Sequence, residues 1–403
     1  MPVTLATIRA VNGLTTRWSD TVTGNGTAFS ALGVWPLLAL LADGAGGPAR
    51  TELAEAVGLP PERSAGAARE LLGALRTVRG LDSALGVWTR RTLELREEWA
   101  AGLPAHAHGV LTGDPATDRR ALDGWAAERT GGLIERMPVS VRDDPELVLA
   151  SALVLRTDWL RPFRDFLMLP ETGPWQDREL LGLYRTSTLL DRIGVADTPH
   201  GRVTELKVLG DTAVDVHLLL GEEHMTPGQV LGAGVGILDR RRPVLSGLHF
   251  PYGEPGPGVS VVKLRTARPQ PPTLAVSTAA FEVRAQHDLL ELDRLFGLGS
   301  ARDTTRGHFP GVSDFPPAVG SARQSVLARF TATGFRAAAV TAVAAAPGGV
   351  PALRWTTTRI RAAFDRPFGF LAVHRHSRLV VASGWVTDPE VYPREAAMPT
   401  EEL

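Results

Sequence analysis

Residues 367–389 read PFGFLAVHRHSRLVVASGWVTDP. Two apolar runs, 368–374 and 379–386, flank a short polar turn, which predicts a pair of buried strands. The tail from 391 to 403 has no such pattern and reads as disordered or loosely docked. Just upstream lies GFRAAAVTAVAAAPGGVPALRWTTT, residues 334–358. Alanine-rich sequence favours helix in isolation, yet Gly334 at one end and Pro347, Gly348, Gly349 and Pro351 at the other frame the stretch as a loop. Two readings stay open here: a surface helix with a flexible exit, or a loop whose small residues from Ala337 to Val343 can slide into a tight gap between strands.

Outward from this region, Val326, Ala328 and Phe330 alternate with Leu327, Arg329 and Thr331 as a strand, and 289–298 predicts a short helix. The middle is β-rich, with alternating segments at 202–220, 244–250, 259–265 and 273–284 between Pro/Gly punctuation. Residues 147–155, LVLASALVL, carry no charge and suit a central strand covered on both faces; 84–88 read as a buried strand. Leu122, Trp125 and Ala126 mark one side of a helix within 119–137. In the first third, Leu5, Ile8, Val11, Leu14 and Trp18 keep helical spacing, 29–41 is a more apolar helix-like segment, and a third helix stops at Gly58 before Pro60 and Pro61. Helices early and strands later give an α+β chain, without an internal repeat or a linker long enough to divide it.

The bulk numbers agree with that reading. The chain has 403 residues, 44% of them hydrophobic, enough for a large core in one or two domains. Lys plus Arg number 43 against 44 Asp plus Glu, so no overall field draws the protein to nucleic acid or a membrane surface. With no cysteine, disulfides, thiolate nucleophiles and Cys-ligated zinc are excluded. The first residues lack a basic segment followed by an apolar one, and no apolar run is long enough to span a bilayer. As given, the chain reads as cytoplasmic, or as extracellular if a signal peptide has been removed.

The 334–358 stretch and its flanks resemble the reactive-centre loop of serpins. Serpins carry a Pro-Phe strand entry, a His at the following turn and a closing Gly-Arg-Val-x-Asn-Pro; Pro367-Phe368, His374 and Gly384-Trp385-Val386-Thr387-Asp388-Pro389 fall in the same register without a gap. Phe29-Ser30 resembles the Phe-Ser-Pro of the second helix, with Ala31 in place of the Pro. Gly44-Ala45-Gly46 with Thr51-Glu52-Leu53, Trp125 with Thr130, Gly132 and Ile134, and the run 149–163 resemble further serpin segments. The resemblance covers roughly 1–390 and is weakest between 165 and 270. It implies a bacterial-type member with a divergent hinge. The expected fold is an α+β serpin domain over 1–390, with helices clustered in the N-terminal third around a large central β-sheet, two smaller sheets and an exposed reactive-centre-like loop, followed by the 391–403 tail.

Serpins inhibit serine peptidases as suicide substrates: the cleaved loop inserts as a new strand and distorts the acyl-enzyme. On that resemblance the loop 334–358 is the inhibitory element, and Gly334, Phe335, Arg336, Ala337, Ala338 and Ala339 form its hinge. Counting from Gly334 puts the scissile bond near Gly348-Gly349; the loop is longer than usual, so Leu353, Arg354 or Trp355 also qualify as bait. The sheet-opening cluster corresponds to Ser30, Gly33, Ser151 and Gln324, where serpins place Ser, Ser, Asn and His, and Trp159 keeps the Trp beneath the point where insertion begins. Inhibitory hinges resemble Glu-Glu-Gly-Thr-Glu; Ala332, Thr333, Phe335 and Arg336 depart from that. A side chain as large as Phe335 is expected to over-pack the closing sheet at about 1–3 kcal/mol and slow insertion. The alternative is therefore a non-inhibitory serpin-fold protein that binds a small molecule or a protein partner, or serves as a recruited pathway enzyme.

Other chemistry has little support. Gly-x-Ser-x-Gly, His-Glu-x-x-His and phosphate-loop patterns do not occur. The glycine-rich 232–236 segment lacks dinucleotide-site spacing and reads as a turn; His374 and His376 are expected on one strand face; His106 and His108 lie in a surface segment; Arg240 to Arg242 form a solvated turn; Asn25-Gly26-Thr27 is a glycosylation sequon. The expectation is a monomer with no catalytic residues, no metal and no cofactor, and with a serine peptidase as partner if inhibitory.

Overall fold

The computed structural model describes residues 3–104, 107–139, 145–315, 317–335 and 354–393. Among them are α1 (Leu5–Ser19), α2 (Ala31–Gly44), α3 (Gly47–Val57), α4 (Pro61–Leu75), α5 (Glu97–Gly102), α6 (Pro115–Arg129), α7 (Pro227–Leu238) and α8 (Asp293–Phe296). The strands form three sheets. One has five strands in the order β14 (Phe281–Asp288), β15 (Val319–Phe330), β4 (Leu147–Leu155), β2 (Leu81–Arg90) and β3 (His108–Leu111). The second has seven: β1 (Thr27–Phe29), β18 (Leu379–Val386), β17 (Phe368–His374), β9 (Val214–Gly221), β8 (Gly201–Val208), β7 (Ile193–Thr198) and β10 (Leu245–Ser246). The third has six: β11 (Gly253–Gly256), β12 (Val259–Thr266), β16 (Trp355–Phe364), β13 (Thr273–Ala279), β6 (Leu180–Ser187) and β5 (Arg164–Met168).

Strand β4 explains its own composition. Leu147, Leu149 and Leu153 face the main core, while Val148, Ala150, Ala152 and Val154 pack with Leu122 and Ala126 of α6 in a second cluster. Both faces are covered, so no polar alternation survives. Its neighbours differ: β2 runs antiparallel to it, whereas β15 runs parallel from Val319 to Leu327.

Local signals set the helix ends. Thr4 caps α1 by accepting from the Thr7 amide, and Gly58 ends α3 in the left-handed region at φ 71°. Pro61, beyond that stop, also opens α4 at its first position, where a missing N–H costs nothing. Two expectations change. The 232–236 glycines lie inside α7, not in a turn, because a Cβ at Gly234 would overlap Leu219 and Leu371 of the strands beneath; glycine lets the helix lie close on β9 and β17. The 289–298 helix shortens to α8, and only Leu245–Ser246 of 244–250 is strand.

Candidate functional site

The parallel seam between β4 and β15 is held by a polar cluster inside the core. Ser151 and Gln324 are direct register partners across the seam. Gln324, fully buried, donates through Nε2 to the Ser30 carbonyl at 2.8 Å and to Ser151 Oγ at 3.3 Å, and accepts through Oε1 from the Ser30 amide at 2.9 Å. Ser30 caps α2 by accepting from the Gly33 amide, and its hydroxyl donates to the Val381 carbonyl at 2.6 Å. A Cβ at Gly33 would collide with Ser151 Oγ, so the helix terminus sits directly under the seam. Residues far apart in the chain thus converge, and every polar atom of the Gln324 amide group has a partner.

Reading the sequence missed one neighbour of the cluster. His287 of β14 is the register partner of Gln324, and its Nε2 donates to the Ala28 carbonyl at 2.9 Å. An imidazole thus stands beside the cluster, on the strand next to β15. Burial, opposed by the hydrogen bond to Ala28, lowers the His287 pKa, so the ring is neutral. Only strand pairing, invisible in a local window, brings it to the site.

Above the cluster, 331–335 make a tight turn clipped onto 157–163. The Thr331 amide and hydroxyl both donate to the Gly334 carbonyl at 2.9 Å. Phe163, Trp159 and Phe335 amides donate to Ala332, Thr333 and Thr157 carbonyls at 2.7, 2.8 and 2.7 Å, and Trp159 Nε1 donates to the Thr331 carbonyl at 2.9 Å. Gly334 bridges Asp158 in antiparallel fashion, and a Cβ there would strike the Thr157 carbonyl, so glycine is required by close approach.

Phe335 is the last described residue of the hinge. Its side chain is 2% exposed within the main core, with ring centroids 6.3 Å from Phe370. Phe370, Phe281, Phe330 and Trp159 continue the row at spacings of 5.2, 5.4 and 4.8 Å. Before any insertion, then, the ring is already housed in the core, and insertion would have to move it from that place. Arg336, Ala337, Ala338, Ala339, Gly348, Gly349 and Leu353 lie outside the described residues. Arg354 is exposed just before β16, beside Trp355, which is 52% exposed.

The remaining histidines fall elsewhere. His374 ends β17, but His376 lies in the following turn, so the two do not share a strand face; Nδ1 of His374 is bonded to the Ser377 hydroxyl at 2.8 Å. His108 is on β3, bonded to Thr89, and His106 is outside the described residues. Among the described residues no three metal-ligating side chains converge.

Comparison with known proteins follows the same line. A family model described as "Serpin (serine protease inhibitor)" matches residues 12–171. A Z-type serpin of Oryza sativa subsp. japonica is 33% identical over 149 residues, 34% of this chain and 38% of that protein. An uncharacterized serpin-like protein of Thermococcus kodakarensis is 26% identical over 170 residues, 39% of this chain and 40% of its own length. The chain therefore aligns with under half the length of the curated relatives it matches. Among solved structures, the thermophilic serpin tengpin in its native state superposes with a TM-score of 0.72 at 13% identity, covering 95% of this chain and 94% of that one. Human thyroxine-binding globulin complexed with its hormone gives 0.69 at 15%, covering 96% and 98%; protease nexin-1 with heparin gives 0.69 at 15%, covering 96% and 99%.

Proposed function

Because the chain belongs to the serpin family, we propose that it is a suicide-substrate inhibitor of serine peptidases, with the loop 334–358 as bait and the seam between β4 and β15 as the place the cleaved loop enters. Loop insertion is the family's known switching behaviour; the argument for this chain is local. The observation that carries the reading is the parallel β4–β15 pair with the hinge already bridged to its upper end at Asp158. An antiparallel strand entering there replaces one parallel ladder of eight register pairs with two antiparallel ladders, which are the stronger kind per residue.

The hinge sequence suits that entry. In an inserted strand continuing from Phe335, Ala337, Ala339 and Thr341 would share its face at strand period, and all are small. Gly348-Gly349 is one candidate for the cleaved bond; if Arg354 is the bait, the cleaved bond is Arg354-Trp355 and the protein is directed to trypsin-like peptidases.

One observation favours a second reading. Phe335 and four backbone and indole hydrogen bonds from 157–163 hold the hinge down, and Ala332, Thr333 and Arg336 depart from inhibitory hinges. If that latch does not release within the lifetime of the acyl-enzyme, the protein is cleaved as a substrate, and its role is that of a non-inhibitory binding protein.

Incubation with chymotrypsin-, trypsin- and elastase-like peptidases, followed by denaturing gel electrophoresis, separates the two. A covalent band at the summed mass is expected. Clean cleavage between 344 and 356 with fully active peptidase would overturn the inhibitory reading.

A further inference from the structure

Strand β16, which begins at Trp355, is not an edge strand. It pairs antiparallel with β12 through eight register pairs, from Thr266 with Trp355 to Val259 with Ala362, whereas β13 joins its other side only from Arg359 onward. Residues 355–358 and 263–266 therefore form a two-stranded ribbon at one end of the six-stranded sheet. The return from β12 to β13 holds Pro269, Pro271 and Pro272, each with a fixed φ, which stiffens the tip.

The ribbon is strongly basic. Lys263 and Arg265 lie on β12, Arg268 just beyond it, Arg354 immediately before β16 and Arg359 on it, while residues 259–273 and 354–364 contain no Asp or Glu. Lys263, Arg265, Arg268 and Arg354 are exposed, and none of the five cations has a carboxylate partner among the described residues. Lys263 stands 5.0 Å from the centre of the Tyr252 ring, whose hydroxyl is bonded to Thr358 Oγ1 at 3.0 Å. Arg359 Nε makes no hydrogen bond. The whole chain is balanced at a net charge of −1, so this is a local concentration of charge.

Acids gather only toward the far end of β16, where Glu254 and Asp365 line a cavity with Arg361 and Ala363. The charge is thus mixed at that end and uncompensated at the end nearest Arg354. Two large aromatic side chains, Tyr252 and Trp355, are more than half exposed on the same ribbon. Exposed aromatics beside arginines are the composition of a protein contact surface. The position matters as much as the charge. Arg265 is the register partner of Thr356, so it lies one strand spacing of about 4.8 Å from the chain that leads out of the loop, well inside the screening length of about 10 Å at 0.1 M salt.

We propose that this ribbon is a docking surface for the peptidase that attacks the loop, and that it selects a peptidase whose surface beside the catalytic cleft is acidic. The proposal rests on the reading of 334–358 as bait. A peptidase closing on Arg354 brings the rim of its cleft within reach of Lys263, Arg265 and Arg268. Carboxylates on that rim meet cations that have no partner of their own, and a basic rim is repelled. The gain is in encounter: steering of this kind raises association rates by about 10- to 1000-fold and fades as salt is added.

The test compares anionic and cationic trypsin, which share a preference for arginine and differ in surface charge. Cleavage after Arg354 is followed by mass spectrometry, and each rate is divided by that enzyme's rate on a small arginine peptide. At about 0.05 M salt the anionic enzyme should be ahead by about tenfold or more, and at about 1 M salt the two should agree within about twofold. Lys263→Glu with Arg265→Glu should abolish the difference while circular dichroism stays that of the parent. Arg63→Glu with Arg76→Glu, in and just after α4, changes the net charge equally and should preserve it. Equal normalised rates, a preference that survives high salt, no cleavage after Arg354, or equal loss in the α4 pair would each overturn the proposal. Retention on heparin at about 0.5 M salt without any difference between the trypsins would assign the ribbon to a polyanion and overturn it too. Should the ribbon variant misfold, Arg265→Gln with Arg268→Gln, which spares the contact of Lys263 with Tyr252, is read in the same way. Cleavage precedes the choice between trapping and release, so a missing covalent band counts only against inhibition, and equal cleavage only against docking.

Discussion

Gln324→Met keeps the length of the side chain but removes its three hydrogen bonds to Ser30 and Ser151. The Ser30 amide is then a buried donor with no acceptor, at a cost of about 1–3 kcal/mol. Unfolding entropy near 2.1 cal/mol/K per residue gives about 0.85 kcal/mol/K for 403 residues, so the intact Tm should fall by about 1–4 °C. The effect on loop insertion is separate. Strands lie about 4.8 Å apart, so a strand entering between β4 and β15 moves Ser151 and Gln324 to nearly 10 Å, and their 3.3 Å bond exists only in the closed sheet. Removing a contact present before but not after opening, at about 0.5–1.5 kcal/mol, should speed insertion roughly two- to thirteen-fold. The assay is to nick the loop with a peptidase, follow tryptophan fluorescence over time, and compare Tm before and after. A Tm lowered as expected with an unchanged insertion rate would refute the gating argument and leave the cluster as core packing. No rise in Tm on nicking, in parent or variant, would count against insertion itself.

Two further outcomes are expected. Phe335→Ala should release the hinge locally, since the buried ring is its contact with the core: amide exchange at 331–335 and 157–163 should quicken by about a hundredfold, equivalent to the roughly 3 kcal/mol of a lost buried ring, with β18 amides unchanged; protection equal to the parent would mean that Phe335 anchors nothing. Acid should destabilise the fold below neutrality. Burial lowers the pKa of His108, His287 and His374 beneath the ordinary 6.5, so the unfolded chain takes up protons first, and stability is constant above about pH 6.5 and is lost as pH falls through the folded values. Tm at pH 5.5 should lie below that at pH 7.5, and His287→Gln should narrow the gap; an unaltered gap would exclude His287 from the effect.

Much of the architecture is written in short-range pattern. The strands at 368–374 and 379–386 follow from two apolar runs around a turn, the covered strand β4 from nine residues without a charge, and the end of α3 from one glycine that tolerates positive φ. Each depends on residues a few positions apart, which is the range over which periodicity acts. The same locality misled at 232–236, where glycines that look like a turn serve the approach of a helix to a sheet, and at Pro60-Pro61, which both ends one helix and begins the next. The Ser30, Ser151 and Gln324 cluster was legible only through family resemblance. That His287 stands beside it and that Phe335 lies in the core were decided by tertiary structure alone. Strand register and helix docking bring together residues more than a hundred positions apart, and no local window of sequence carries that distance.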